Sequence, residues 1–147
     1  MSANIQPIFP LTPVNEIATL ITADTSLVTP VTNGVVIITG GENGTRIDGM
    51  KIRALGTNID TVLRVFINDG IGVLAVNFAL VHEVQLVAST AGTDDITGVD
   101  LSLLPFNYDN AGGGEITPFL ASGQKLYVSI GTTVASGYAV SVFGGDY

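Results

Sequence analysis

Alternating apolar and polar positions between residues 46 and 70 predict two β-strands, each with one apolar face. A period of two residues puts every second side chain on the same side of a strand, and burial of one side produces this pattern. The apolar faces consist of Met50, Ile52 and Ala54 in the first run and Leu63, Val65 and Ile67 in the second. We interpret the two runs as an antiparallel pair joined by a tight connection.

The opposite faces of the two runs combine cationic and apolar side chains. Lys51 and Arg53 lie on the first, and Val62, Arg64 and Phe66 lie on the second. Four of the five cations of the chain fall in this segment. Apolar residues mixed with arginine are typical of surfaces that contact other proteins. We therefore predict a contact surface here rather than a reaction centre.

The expected pairing sets Arg53 opposite Arg64 and Lys51 opposite Phe66. Like charges directly across a strand pair are unfavourable, which leaves two interpretations open. In one, both arginines reach solvent or are screened by a nearby aspartate. In the other, a carboxylate from a neighbouring subunit lies between them. Asp146 and the carboxylate of Tyr147 are the candidates, because the end of the chain is expected to be free to reach a sibling.

Short β-like runs separated by turn signals continue along the chain. The turn dipeptides Asn33-Gly34 and Asn43-Gly44 favour tight connections because both residue types tolerate positive φ. About eight strands with no long helical period predict an all-β fold, an antiparallel β-sandwich of jelly-roll type. The predicted strands are residues 17–23, 35–39, 46–55, 61–68, 78–87, 101–106, 125–131 and 138–143.

Residues 1–15 differ from the single sandwich domain predicted for residues 16–147. Prolines at positions 7, 10 and 13 oppose both helix and central strand and favour an extended arm. Either the arm is a disordered tail or it docks on a neighbour. The apolar residues between the prolines favour docking, because disordered tails are rarely this apolar. These residues are Ile5, Ile8, Phe9 and Leu11.

The composition narrows the possible functions. Charged residues make up 12% of the 147 residues, where about 25% is typical; this favours an oligomer with large buried interfaces. A net charge of −8 argues against nucleic-acid binding. The chain has no cysteine, and no apolar run approaches the roughly 20 residues of a membrane helix.

No group of residues predicts catalysis, a cofactor or a metal. His82 shares an alternating apolar face with Leu80 and Val84, and a lone histidine there is expected to be a packed residue. A catalytic base would need a nucleophile or carboxylate partner, and the sequence supplies none. Asp94 and Asp95 fit a solvated acidic loop better than a calcium loop. We therefore predict that the protein is not an enzyme.

Several segments together resemble small virion proteins of tailed bacteriophages, which include jelly-roll decoration, or cement, proteins. The segments are DGMKIRALGTN, TVLRVFINDG, ASGQKLYV and the closing residues 140–147, which end in GGDY. The resemblance implies a structural role on the capsid surface, a homotrimer and binding to the major capsid protein. The alternative is a carbohydrate- or receptor-binding jelly-roll module of a phage fibre, in which Tyr108, Asp109 and Asn110 would contact the glycan.

Overall fold

The computed structural model describes residues 10–90, 99–101 and 119–147, and it is an antiparallel β-sandwich. Outside the strands, one turn of 3₁₀ helix covers Ala75–Asn77. In chain order the strands are β1 Thr12–Leu20, β2 Val35–Thr39, β3 Thr45–Ala54, β4 Thr61–Asn68, β5 Phe78–Leu86, β6 Val99–Leu101, β7 Phe119–Leu120, β8 Lys125–Ile130 and β9 Tyr138–Asp146.

The strand order confirms the predicted fold. The first sheet has the order β1-β9-β3-β6, with the short β7 also pairing with β3, and the second has the order β2-β8-β4-β5. The chain therefore crosses between sheets at most of its connections, as the paired Greek keys of a jelly roll require. Several predicted bounds are confirmed to the residue, among them those of β2 and β4.

One apolar core fills the space between the two sheets. Met50 and Ile52 of β3 are buried as predicted, and so are Leu63 and Val65 of β4, whereas Ile67 is only half-buried. Burying one methylene group contributes about 0.8 kcal/mol, so a cluster of this size is the main term that stabilises the fold. The other large aliphatic members are Leu20, Ile37, Ile38, Ile47, Leu86, Leu120, Leu126, Val128, Ile130, Val134, Val140 and Val142.

The predicted pairing of β3 with β4 is wrong, because the two strands belong to different sheets. β3 pairs with β9, β6 and β7, whereas β4 pairs with β5 and β8. The apolar faces of the two strands meet across the core, and residues 55–60 carry the chain from one sheet to the other. Alternation reveals which face of a strand is buried, but it does not reveal which strand lies beside it.

The predicted boundary between arm and domain is also corrected. β1 begins at Thr12, so residues 12–15 belong to a strand that pairs with β9. Pro13 is accommodated because β1 is an edge strand, where a residue without an N–H can face away from the ladder. Leu11 continues the contact, since its N–H donates to the carbonyl oxygen of Asp146 at 2.7 Å. Ile5, Ile8 and Phe9 lie outside the described residues.

A β-bulge changes the predicted faces of β5. Val65 pairs with His82 and Phe66 pairs with Leu80, which leaves Val81 as the extra residue. His82 therefore lies on the core side of the sheet, and Leu80 lies on the opposite side. The single apolar face predicted for the whole of β5 is wrong, because a bulge shifts the alternation by one residue.

Candidate functional site

The predicted cationic contact surface is divided between the two sheets. Arg53 is exposed on β3, whereas Arg64 on β4 donates from Nε to Glu83 Oε1 at 2.8 Å. A second nitrogen of Arg64 donates to the carbonyl oxygen of Asp24 at 3.3 Å. The side-by-side pairing of Arg53 with Arg64, on which the hypothesis of a neighbour's carboxylate depended, is therefore wrong. Lys51 is also exposed on β3.

The end of the chain is held in place rather than free to reach a sibling. Asp146 is the last residue of β9, which lies between β1 and β3, and its carboxylate accepts a hydrogen bond from the hydroxyl of Thr45. The Tyr147 N–H donates to the carbonyl oxygen of Gly44 at 3.1 Å. The Tyr147 ring lies 6.1 Å from that of Phe119, centroid to centroid. Both terminal residues thus serve the fold.

Two further residues of the predicted contact surface differ in their exposure to solvent. Phe66 is fully buried on the outer side of the second sheet, where it pairs across the ladder with Tyr127. The ring of Phe78 packs edge-on against that of Tyr127, with the ring centroids 5.1 Å apart. Phe66 is therefore removed from the candidate contact residues. Leu11 is 83% exposed and remains available to a partner.

A strongly exposed apolar group lies on the loop between β4 and β5, residues 69–77, which we call the 69–77 loop. Its four large aliphatic side chains face solvent, with exposed fractions of 86% for Ile71, 56% for Val73, 69% for Leu74 and 84% for Val76. Single exposed apolar residues are ordinary, but a contiguous group on one loop marks an interaction site. The 69–77 loop is our candidate functional site.

Polar side chains form an internal frame for this loop. Asn68 accepts from the Gly70 N–H at 2.9 Å and donates to the Gly72 carbonyl at 2.7 Å. Asn77 donates to Asp69 at 2.8 Å, a hydrogen bond that lowers the pKa of Asp69 together with the Ile71 N–H. The polar groups thus bond to one another, and the aliphatic side chains point outwards.

The 69–77 loop packs closely against the turn at residues 121–124, and a glycine makes this approach possible. Gly70 has φ of +82°, and a Cβ at this position would lie 2.3 Å from the carbonyl oxygen of Gly123. Only glycine allows both the backbone angle and the close approach. The turn at 121–124 is in turn bonded to Gly40 through Gly123 and Gln124. We call this side of the sandwich, with loops 40–44, 69–77 and 121–124 and Tyr147, the Asp69 end.

The opposite side, with loops 21–34, 55–60, 87–90 and 131–137, is called here the Asn58 end. The buried Asn58 side chain donates to the Gly137 carbonyl at 2.9 Å and accepts from the N–H groups of Ser136 and Gly137. Its backbone exchanges two hydrogen bonds of 2.9 Å with Ser89. One residue therefore joins three loops that are distant in sequence.

The Asp24 side chain holds the 21–34 loop together from within. Its buried carboxylate accepts backbone hydrogen bonds of 2.9 to 3.2 Å from Ser26, Thr32, Asn33 and Gly34. Burial by itself would raise the pKa of Asp24, but the four donors together outweigh it, so the pKa is lowered. The backbone of Asp24 also bonds to Ile130, which ties the loop to β8.

His82 is the described residue that the sequence analysis weighed as a catalytic base. Burial lowers the pKa of His82, against the opposing effect of the Glu83 charge, and the His82 Nε2 atom is buried without a hydrogen-bond partner. No three His, Cys, Asp or Glu side chains gather as a metal site in residues 10–90 and 119–147. In the same residues, no helix is long and apolar enough to span a membrane. Asp94, Asp95 and Tyr108–Asn110 lie outside the described part of the chain.

The sequence contained a signal for the 69–77 loop that the strand pattern did not use. Residues 71–76 read IGVLAV, an apolar run between two predicted strands, where polar turn residues are expected. An apolar run flanked by Asp69-Gly70 and Asn77 is too short and too closely bounded to add a strand. A turn with this composition either packs inwards or contacts a partner, and only the structure distinguishes the two.

Comparison of the chain with protein-family models, with curated proteins and with solved structures found no match in any of the three.

Proposed function

We propose that the chain is a structural virion protein that binds and stabilises a bacteriophage capsid as an oligomeric cement, or decoration, protein. In this proposal it is a homotrimer on the capsid surface, and its partner is the major capsid protein. The observation that carries the proposal is the exposed apolar face of the 69–77 loop. The resemblance of the chain to small phage virion proteins supports the same reading.

The free energy gained by burying one 69–77 loop is small enough that several loops would have to act together. Burying an aliphatic side chain contributes about 1.5–3 kcal/mol, so four contribute about 6–12 kcal/mol. Association costs about 4–15 kcal/mol in lost freedom. One loop would therefore give weak binding or none, whereas three loops on one trimer would bind by avidity. A cement that must remain attached to a particle needs the second arrangement.

The internal frame of the loop supports a role in docking. Hydrogen bonds from Asn68, Asp69 and Asn77 hold the backbone in one conformation before any partner arrives. A loop that is already ordered loses less conformational freedom on binding. The apolar side chains are thus presented in a fixed arrangement that suits a fixed hydrophobic pocket.

The test is a sedimentation assay with capsids of the same virus that lack this protein. A double variant, Val73→Thr with Val76→Thr, keeps the branched shape of both side chains and removes two apolar surfaces. We expect at least about tenfold weaker binding, which corresponds to about 1.4 kcal/mol. The matched control is Val87→Thr, which alters a valine of similar exposure at the Asn58 end. Equal binding by the double variant and the control would contradict the proposal.

The trimer is tested separately by multi-angle light scattering on the isolated chain. We expect about three times the subunit mass of 15.2 kDa at micromolar concentration, and the double variant should give the same mass if the 69–77 loop faces the capsid. A folded monomer at every concentration would exclude the trimer and leave loop docking to be decided by sedimentation. A monomeric double variant beside a trimeric parent would place the loop at the subunit interface instead.

A further inference from the structure

The two Asn-Gly dipeptides of the chain differ in their chemical environment. We propose that Asn43 undergoes deamidation and that the fold protects Asn33 from the same reaction. The backbone nitrogen of Gly44 loses its proton to water and attacks Cγ of Asn43. The new bond closes a succinimide, and the side-chain nitrogen leaves as ammonia. Water then opens the ring to give aspartate or isoaspartate at position 43.

Asn33 is held away from this reaction at both reacting groups. Its side-chain nitrogen donates to the carbonyl oxygen of Ala23 at 2.8 Å, which fixes the amide. The N–H of Gly34, the attacking nitrogen, donates to the carboxylate of Asp24 at 3.2 Å. Removing a proton from that nitrogen would place a second negative charge beside Asp24, which is electrostatically unfavourable.

At Asn43 the side chain is not held, and the attacking nitrogen is bonded to a neutral acceptor instead of a carboxylate. It is exposed, and its side chain makes no hydrogen bond to any described residue. The N–H of Gly44 donates at 3.0 Å to the carbonyl oxygen of Gly41, which is a neutral group. The Asn43 side chain is therefore able to turn towards the Gly44 nitrogen, and no carboxylate opposes loss of the proton from that nitrogen.

The product would alter the turn that holds the end of the chain. Aspartate at position 43 adds a negative charge beside Glu42, in a loop already close to the Asp146 carboxylate through Gly41. Isoaspartate also lengthens the backbone of the turn by one carbon. The carbonyl oxygen of Gly44 accepts from the Tyr147 N–H, so a longer turn displaces the last residue of the chain.

The experiment follows both sites in one sample of the folded full-length chain. The protein is incubated at mildly alkaline pH, and peptide mass spectrometry records conversion of amide to carboxyl at positions 33 and 43. We expect Asn43 to react at least about fivefold faster, the factor that corresponds to one ordinary hydrogen bond. In concentrated urea the two rates should converge, because the restraints on Asn33 belong to the folded state.

Three outcomes would overturn the proposal. Equal or faster conversion at Asn33 in the folded chain would show that its hydrogen bonds do not protect it. No conversion at Asn43 in the folded chain, with conversion in urea, would show that the fold protects both sites. An unchanged ratio in urea would assign the difference to the flanking residues. An Asn43→Ser variant identifies the signal, since it should lose the fast phase and keep the slow one.

Discussion

The two ends of the sandwich are built differently. At the Asn58 end, hydrogen bonds connect segments that are far apart in sequence, as the Asn58 side chain does with Gly137 and the Asp24 N–H does with Ile130. At the Asp69 end, the hydrogen bonds of the 69–77 loop lie within the loop and its flanking Asn68. One set of bonds joins the sheets through their loops, and the other shapes a single loop.

The difference distinguishes residues that stabilise the whole fold from residues that shape the exposed apolar loop. A long-range bond breaks only when distant parts of the fold separate, so its loss is expected to lower the global free energy of unfolding. A bond within one loop is lost when that loop opens, while the sandwich remains folded. We therefore expect substitutions at Asn58 to unfold the protein and equivalent ones within the 69–77 loop to alter the contact surface.

The largest effect is expected for Asn58→Ala. The change leaves the buried N–H of Gly137 and the partly buried N–H of Ser136 without an acceptor, and each unpaired buried group costs about 1–3 kcal/mol. We expect the free energy of unfolding to fall by about 4 kcal/mol, measured by urea denaturation. The matched control is Asn77→Ala at the Asp69 end, where the expected loss is about 1 kcal/mol. Equal losses would remove the distinction between the ends.

Asp24→Asn should have the next largest effect and should depend on pH. The folded pKa of Asp24 lies below the unfolded value of 3.8, so the carboxylate stabilises the fold above that pH and loses its contribution as the pH falls below it. We expect the variant to be less stable by about 2 kcal/mol at neutral pH.

In denaturant series across this range, the difference between Asp24→Asn and the parent should shrink towards acid pH. Asp69→Asn is the control at the other end and should show a smaller global difference, because the hydrogen bonds of the Asp69 side chain lie within one loop. A constant difference for Asp24→Asn at all pH values would contradict a role for its charge.

Gly70→Ala should affect the 69–77 loop more than the fold. The added Cβ would clash with the Gly123 carbonyl oxygen and would require alanine at positive φ. Because the loop can open by itself, the global cost is expected to be limited to about 1 kcal/mol. Hydrogen exchange should become faster in residues 69–77 and remain unchanged at the Asn58 end.

Gly123→Ala provides the comparison for this variant. Gly123 also has positive φ, at +78°, but a Cβ there meets nothing within 4 Å. We expect a similar global cost and no faster exchange in the 69–77 loop. Faster exchange at the Asn58 end in Gly70→Ala would show that the two ends are coupled.

The smallest change in stability is expected for Val73→Thr with Val76→Thr. Both side chains face solvent, and exposed substitutions usually change the free energy of unfolding by no more than about 0.5 kcal/mol. Urea denaturation should therefore place this variant beside Val87→Thr, while capsid binding separates the two. A large loss of stability would show that the loop packs within the fold or at a subunit interface.

Sequence patterns predicted where the strands lie in the chain more successfully than which strands pair with each other. Alternation located β3 and β4 because a half-buried strand exposes and buries alternate residues wherever it lies. The same alternation arises whether two strands share a sheet or face each other across a core. Arg53 and Arg64 were therefore placed side by side, whereas the fold puts them in different sheets.

The candidate site was harder to predict, because exposure of an apolar loop is a property of the fold. The residues of the 69–77 loop were visible in the sequence, but nothing local states whether IGVLAV turns inwards or outwards. The frame of Asn68, Asp69 and Asn77 determines this outcome. The bulge at Val81 is likewise the result of strand pairing, and it moved Leu80 off the face that His82 shares with Val84.

The position of β9 between β1 and β3 has a consequence for synthesis of the protein on the ribosome. β1 and β3 are both made early, yet each pairs with residues 138–146, which are made after all the other described strands. The first sheet cannot assemble until that final stretch has left the exit tunnel. Non-local pairing of this kind slows folding and leaves early strands exposed. We expect ribosome-bound chains in which residues 138–147 have not yet emerged to be sensitive to protease and to recruit chaperones.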